Sequence, residues 1–111
     1  MCMMGPGTNR RQRTAMVIGV LRLTLHLPHS GSLKAKRHVV RSLLTRTRQR
    51  FQVAAMEIGD RDRWQLAELG IACVSPDGRH ADEVLSHVLR FVEGAAGDAW
   101  VVDVSTELVD L

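Results

Sequence analysis

One stretch of the chain, residues 32–51, constrains the fold more than any other: SLKAKRHVVRSLLTRTRQRF. If this stretch is a helix, at about 100° per residue, its apolar side chains fall on one stripe and a group of cations falls on another. The apolar stripe consists of Leu33, Val40, Leu44, Thr47 and Phe51, and the cationic stripe consists of Lys34, His38, Arg41 and Arg48. A helix of this length is marginal in water by itself, so its apolar stripe must pack against the rest of the chain.

The cationic stripe has no acidic neighbours within its own helix. Residues 32–51 contain no Asp or Glu, so the usual ion pairs between residues three or four apart are absent. Met1 to Met56 holds 11 Lys and Arg and no acid, whereas Glu57 to Leu111 holds 4 Arg and all 12 acids, which gives formal charges of +11 and −8. Two interpretations stay open: the halves neutralise each other within the fold, or the basic side faces a polyanion.

The periodicity of the remaining chain predicts five further elements. Strands are predicted at residues 16–27, 52–58, 64–75 and 100–109, where apolar residues alternate or run continuously. A second helix is predicted from Pro76, with Ser75 as its N-cap and Gly94 as its end. The order βαββαβ predicts an α+β, ferredoxin-like sandwich, in which two helices cover one face of a four-stranded antiparallel sheet of order 4-1-3-2.

This topology would bring several loops to one end of the sheet. They are the end of the first strand at His26, the start of the first helix, the turn Gly59–Asp62 and the strand starts at Trp64 and Trp100. The carboxylates of Asp60 and Asp62 are therefore candidate internal partners for the cations that begin the helix. Those cations are Lys34, Lys36 and Arg37.

The first strand is apolar on both of its faces near its start, through Ile18 and Val20 on the side that faces away from the helices. In so small a protein, an apolar open sheet face is expected to be covered by another subunit. The sequence therefore predicts a homodimer that forms through the open sheet face.

The length of 111 residues fits a single domain over residues 16–111. Residues 1–15 lack apolar periodicity and contain three arginines, so we expect either a disordered basic arm or an artefactual start ahead of Met16. No apolar run approaches the ~20 residues of a membrane span, and the two cysteines form no disulfide framework. We expect a cytoplasmic protein without membrane contact.

Four segments of the sequence resemble one family of small bacterial proteins. They are VIGVLRLTLHLP, SLKAKRHVVRSLLTRTRQRF, EIGDRDRWQ with the following Leu69 and Gly70, and HADEVLSHVLRFVE. In these segments, which cover nearly all of residues 16–108, the chain resembles the YlxP-like proteins, also called domain of unknown function family 503. The resemblance implies a ferredoxin-like fold and a cytoplasmic protein of unestablished role. Because such genes often lie near those for translation initiation and ribosome maturation, it also implies an RNA or ribosomal partner.

The sequence contains no recognisable catalytic, cofactor or metal site. His26 and His29 flank a proline turn without a Cys, Asp or Glu that would complete a zinc site. Cys73 lies in a predicted central strand, where burial makes a thiol unreactive. The family resemblance supplies no catalytic residue either. We therefore predict a protein that is not an enzyme and needs no cofactor or metal.

The residues predicted to bind RNA belong to the basic helix. They form a nucleic-acid or anion-binding set of Ser32, Lys34, Lys36, Arg37, Arg41 and Arg48. Trp64 is a candidate for base stacking or for an interface contact. Because the predicted sheet lacks the aromatic residues on which an RNA recognition motif stacks bases, contact should be mainly with phosphates and strongly salt-dependent. The alternative is a dimeric structural or regulatory protein-interaction module, whose basic helix pairs internally with the acidic half.

Overall fold

The structure, a computed structural model, describes residues 14–111 as one antiparallel sheet with two helices. The elements are β1 (Val17–His26), α1 (Leu33–Phe51), β2 (Ala54–Gly59), β3 (Leu66–Ser75), α2 (Gly78–Ala95) and β4 (Trp100–Asp110). The strand order is β2-β3-β1-β4, and every neighbouring pair is antiparallel. Counted from the other edge, this is the predicted order 4-1-3-2, so the ferredoxin-like fold class is confirmed.

The core lies between the helices and one face of the sheet. Alternate residues of β1 from Val17 to Leu25 are buried, and alternate residues of β3 from Ala67 to Cys73 are buried opposite them. The helices add the buried residues Val40, Leu43, Leu44, Thr47, Ala81, Leu85, Val88 and Val92. The two helices also meet through Phe51 and Phe91, whose rings pack edge to face with centroids 5.6 Å apart.

The helix α1 begins at a serine cap of the expected chemistry and ends at a left-handed residue. Ser32 has an extended backbone, and its Oγ accepts a hydrogen bond from the backbone N–H of Ala35 at 3.0 Å. At the other end, Gln52 is left-handed with a φ of 52°, and its backbone N–H donates to the carbonyl of Arg48. These caps fix the helix boundaries that the sequence predicted.

The start of α2 differs from the prediction. The predicted cap, Ser75, is the last residue of β3 and is buried. Asp77 caps the helix instead, because its Oδ1 accepts a hydrogen bond from the backbone N–H of His80 at 2.8 Å. The strand therefore extends to Ser75, and the helix begins at Gly78.

The end of α2 also differs from the prediction, because Gly94 does not stop the helix. The helix continues to Ala95, and the N–H of Ala96 still bonds to the carbonyl of Val92. A helical glycine costs only about 1 kcal/mol relative to alanine, which the burial of Val92 and Ala96 can offset. The left-handed residue that turns the chain is Gly97, with a φ of 64°.

The loops that the topology was predicted to bring together do meet at one end of the sheet. His26, at the end of β1, lies opposite both Leu66 of β3 and Trp100 of β4 in the strand register. Just beyond β1, the backbone N–H of Leu27 donates to the carbonyl of Gln65 at 2.8 Å. The turn before β3 therefore lies beside the loop that leads into α1.

Two further predictions concern membrane contact and the N-terminal arm. Neither α1 nor α2, the helices within residues 14–111, is long and apolar enough to cross a membrane. The predicted basic arm of residues 1–15 lies, up to residue 13, outside the described residues.

Candidate functional site

Lys36, one of the predicted phosphate-binding residues, is buried in the core. Its side chain is 0% exposed, and its Nζ lies 2.9 Å from Oε2 of Glu57. The same Nζ donates to the carbonyl oxygens of Asp60 at 2.6 Å and Leu66 at 2.7 Å. Two of the three N–H donors of the ammonium thus have carbonyl acceptors, and the carboxylate of Glu57 lies at ion-pair distance without a hydrogen bond to it. This corrects the prediction for Lys36, because an ammonium enclosed in this way does not reach a phosphate at the surface.

Within residues 14–111, the carboxylates of Asp60 and Asp62, which were the candidate internal partners, form no ion pair with a cation of α1. Asp60 bonds to Lys36 through its carbonyl, and its carboxylate lies 3.9 Å from Nε of Arg63 in the same turn. Among the described residues, Asp62 forms no ion pair. Internal neutralisation of α1 by a carboxylate is therefore limited to Lys36, and Glu57 provides it.

Four exposed cations of α1, namely Lys34, Arg37, Arg41 and Arg46, line a shallow depression of about 740 Å³, here termed the basic face. Its lining residues are Lys34, Arg37, His38, Arg41, Ser42, Thr45 and Arg46. Within residues 14–111, no carboxylate forms an ion pair with any of these side chains. The structure therefore brings the predicted residues Lys34, Arg37 and Arg41 together on one surface and adds Arg46 to them.

Two other predicted site residues, Ser32 and Arg48, have contacts that serve the fold. The hydroxyl of Ser32 caps α1. The guanidinium of Arg48 donates from Nη1 to the carbonyl of Ala55 at 2.6 Å, which joins the end of α1 to β2. Its Nη2 donates to Oγ1 of Thr45 at 3.4 Å. Neither Ser32 nor Arg48 lines the basic face.

Arg46, which the sequence analysis did not select, is held at the point where α1 meets α2. Its Nη2 donates to the carbonyl of Ala95 at 3.1 Å, and its guanidinium carbon lies 5.9 Å from the ring centre of Phe91. The last turn of α2 contains no basic residue, so Arg46 supplies positive charge at the negative end of that helix. Its contacts with another element explain why the α1 pattern alone did not reveal it.

A second cavity, here termed the interhelical cleft, continues from the basic face toward the end of α2. Its volume is about 390 Å³, and it shares His38, Ser42 and Arg46 with the basic face. The apolar part of its lining consists of Leu27, Pro28, Ala35, Val39, Leu43, Ala95, Ala96 and Ala99, and the remaining residues are His29, Ser30, Gly97 and Asp98. The sequence analysis did not predict this cleft, because three separate parts of the chain form it.

The open face of the sheet carries exposed apolar side chains, as the first strand suggested. Met56 on β2 is 61% exposed and Val74 on β3 is 67% exposed. At one end of this face, the ring of His26 packs against the exposed ring of Trp100, with centroids 4.9 Å apart. Trp64 is 55% exposed in the turn before β3, so it does not belong to the core, and its role in stacking or at an interface stays a prediction.

The residues with catalytic or metal-binding chemistry are dispersed or enclosed. Within residues 14–111, no group of three His, Cys, Asp or Glu side chains could hold a metal ion. Cys73 is a free, buried thiol. Oγ of Ser75 lies 2.8 Å from Nδ1 of His80, but Ser75 is only 3% exposed, so a substrate has no access to its hydroxyl. Nothing in the described part of the chain indicates catalysis.

A family model and a curated relative match most of this chain. The family model, described as protein of unknown function (DUF503), matches residues 18–106. The uncharacterized protein YlxP of Bacillus subtilis (strain 168) is 42% identical over 64 residues, which are 58% of this chain and 70% of the relative. Residues 18–106 include all of α1 and therefore the whole basic face.

Two solved structures of other proteins are similar to this chain at low sequence identity. A C-terminal segment of the alpha subunit of aIF2 from Pyrococcus abyssi has a TM-score of 0.53 at 17% identity, over 94% of this chain and 53% of that one. A de novo designed protein with ferredoxin fold has a TM-score of 0.43 at 11% identity, over 85% of this chain and 83% of that one. At this level of identity, the likeness to the aIF2 segment concerns the fold alone.

Proposed function

Since this chain belongs to the DUF503 family of proteins of unknown function, we propose a function from its surface: it binds structured RNA, free or within a ribosomal particle, through phosphates that face α1. The observation that supports this proposal is the basic face. Lys34, Arg37 and Arg41 are exposed there, and no ion pair within residues 14–111 involves them. Unpaired cations grouped on one rigid helix are the usual electrostatic footprint of a nucleic-acid-binding surface.

The spacing of these cations fits a phosphate backbone. From Lys34 to Arg41, α1 rises by roughly 10 Å at 1.5 Å per residue. This separation allows the three side chains to contact more than one phosphate of the same RNA.

Phosphate contacts position a protein on a nucleic acid but do not read its sequence. The basic face contains no Phe, Tyr or Trp on which bases could stack, and the ring of Phe91 on α2 is covered by Arg46 and Arg50. We therefore propose recognition of shape and charge density, with an affinity that falls steeply as salt is added.

Replacing Lys34, Arg37 and Arg41 together with Ala should weaken binding to a structured RNA hairpin by roughly tenfold or more at low salt. The slope of log K against log salt concentration should become shallower by about three, because each lost phosphate contact removes about one unit. Fluorescence anisotropy across a salt series measures both quantities, and circular dichroism verifies that the variant is folded.

A matched control removes the same charge elsewhere. Arg61, Arg79 and Arg90 are exposed outside α1, and replacing all three with Ala changes the net charge by the same amount. The control should keep the salt slope of the native protein. If the two triple variants lost the same affinity for the hairpin, binding would depend only on the net charge of the protein, and the proposed site would be wrong.

A second candidate function, a dimeric protein-interaction module, is favoured by the apolar side chains on the open sheet face. Met56 and Val74 are both mostly exposed there, and association through this face would remove them from water. In this candidate, the open sheet makes the functional contact and the basic face touches no nucleic acid. The first candidate is preferred because it explains the uncompensated cations.

Association through the open sheet face can be tested by substitution. Replacing Met56 and Val74 with Glu should convert a dimer into a monomer of 12.3 kDa, because each face would then bury carboxylates without partners. Light scattering coupled to gel filtration gives the mass, and Ser86→Glu, on the exposed side of α2, is the control. A native protein that has the monomer mass at high concentration would exclude this candidate.

A further inference from the structure

The interhelical cleft is chemically different from the basic face with which it is continuous. The basic face is an open surface of cations, whereas the cleft has a floor of buried apolar side chains, including Leu27, Leu43 and Ala99. His38 and Arg46 lie on the boundary between them and line both. A chain of phosphates on the basic face would therefore pass directly over the mouth of an apolar recess.

The rim of the cleft combines hydrogen-bond donors and acceptors. Arg46 donates from one nitrogen to the carbonyl of Ala95, and its guanidinium has further N–H groups that can donate to a ligand. Asp98, on the turn after α2, provides a carboxylate, and Ser42, on α1, provides a hydroxyl that can both donate and accept. The cleft thus offers an apolar interior with polar groups of both kinds around its mouth.

We propose that the interhelical cleft receives one unpaired nucleobase of an RNA whose phosphates lie on the basic face. This inference rests on the proposed RNA-binding function and adds a preference within it. A nucleobase has flat apolar faces and polar edges, which match an apolar floor with donors and acceptors at the rim. The volume of about 390 Å³ lies within the range of ~300–1,000 Å³ that is typical of small-molecule sites.

The same geometry selects an unpaired base over a paired one. In a duplex the bases are stacked inside the helix, and only their edges are accessible in the grooves. A bulged or looped base can leave the stack and enter a protein recess at a lower cost than a paired base. The protein should therefore bind paired RNA through the basic face alone and bind RNA with an unpaired base through both surfaces.

Three RNA hairpins test the inference, each closed by a non-nucleotide linker so that no loop base is unpaired: one has a fully paired stem, one has a single bulged adenosine, and one has an abasic residue at the bulge. The native protein should bind the adenosine bulge about tenfold more tightly than the paired hairpin, because the base leaves water for the apolar floor of the cleft. The abasic bulge should bind like the paired hairpin. Equal affinity for the adenosine and abasic bulges would overturn the inference, because the gain would then come from flexibility of the RNA.

The variant Val39→Trp fills the cleft without removing a charge, since Val39 lines the cleft but not the basic face. It should lose the preference for the adenosine bulge and retain its affinity for the paired hairpin within about twofold. Val39→Ala, which leaves the cleft open, should keep the preference. Ala35→Trp, one turn earlier on the same wall, replaces Val39→Trp if that variant does not fold.

The outcomes separate the two proposals. If the native protein binds none of the hairpins in a salt-dependent way, the proposed RNA-binding function itself fails. If it binds all three equally and the cations of the basic face are needed, only the cleft inference fails. A bulge preference that survives Val39→Trp also overturns the cleft inference.

Discussion

Replacing Lys36 with Met should lower the free energy of unfolding by about 3 kcal/mol, as expected for breaking one side of a buried ion pair. The substitution leaves the carboxylate of Glu57 without its cation and the carbonyls of Asp60 and Leu66 without their donor. We expect a value at the lower end of the range for buried pairs, because the side chain of Glu57 is 14% exposed. Urea denaturation followed by circular dichroism measures the change.

Lys34→Met is the matched control for this prediction. Lys34 lies two residues earlier on α1, is exposed and has no ion-pair partner within residues 14–111, so its replacement should change stability by less than about 0.5 kcal/mol. Adding Glu57→Leu to Lys36→Met should recover part of the loss, since no charge then remains unpaired. The two carbonyls would still lack a donor, so recovery should be incomplete. Equal effects of Lys36→Met and Lys34→Met would contradict the buried pair.

The pair also has a consequence for local order. Lys36 joins the first turns of α1 to the turn after β2 and to the start of β3, through Asp60 and Leu66. In Lys36→Met, the amide hydrogens of residues 60–65 should exchange faster than in the native protein, because that turn loses its side-chain contact with the helix. The increase should be larger for these residues than for those of β1. The effect on RNA binding should be small if the fold is retained, since the basic face does not include Lys36.

For Lys36, the residue type and the helical periodicity point to different environments. The residue type indicates the surface, whereas the periodicity indicates the core. Lys36 lies one turn before Val40 and two turns before Leu43, both of which are buried, so its helical position is on the core stripe. It was assigned to the surface because lysines are almost never fully buried unless paired. The partner is Glu57, which is 21 residues away in sequence and is close only after β2 packs against α1.

The fold was predictable because the local sequence pattern of each helix and strand is consistent with the ferredoxin-like topology. β1 and β3 show period-two burial, Ser32 caps α1, and the order of elements specifies the topology. The boundaries of α2 were not predictable in the same way. Ser75 and Asp77 are both good caps, and only the length of β3 decides between them.

The candidate site was predictable only where it belongs to one element. Lys34 and Arg41 follow from the helical spacing of the cationic stripe, and Arg37 follows from its place in the first turns of α1. The interhelical cleft requires the end of α2, the loop after β1 and the far side of α1 to meet, and no short-range pattern encodes that meeting. Arg46 shows the same limit, because its partner, Ala95, belongs to the other helix.

The substitution Gly19→Val should have the second large effect on stability, because α2 packs closely against the sheet at this residue. Gly19 faces the core from β1, and a Cβ added there would lie 3.0 Å from both Sγ of Cys73 and Cδ1 of Leu85. It would also lie 3.2 Å from Cβ of Ala81 on α2. Gly19→Val should therefore lower the free energy of unfolding by about 3 kcal/mol, the upper end of the range for overpacking a core. Urea denaturation again gives the value.

Gly94→Ala is the control, because a Cβ at this exposed helical position meets nothing within 4 Å and should raise stability by about 0.5–1 kcal/mol. If the contact with Leu85 causes the strain, the cost of Gly19→Val should fall by half or more in a Leu85→Ala background. A Gly19→Val variant as stable as the native protein would show that α2 can move away freely. Because the end of α2 forms one wall of the interhelical cleft, a displaced α2 should also weaken the preference for a bulged adenosine while paired RNA still binds the basic face.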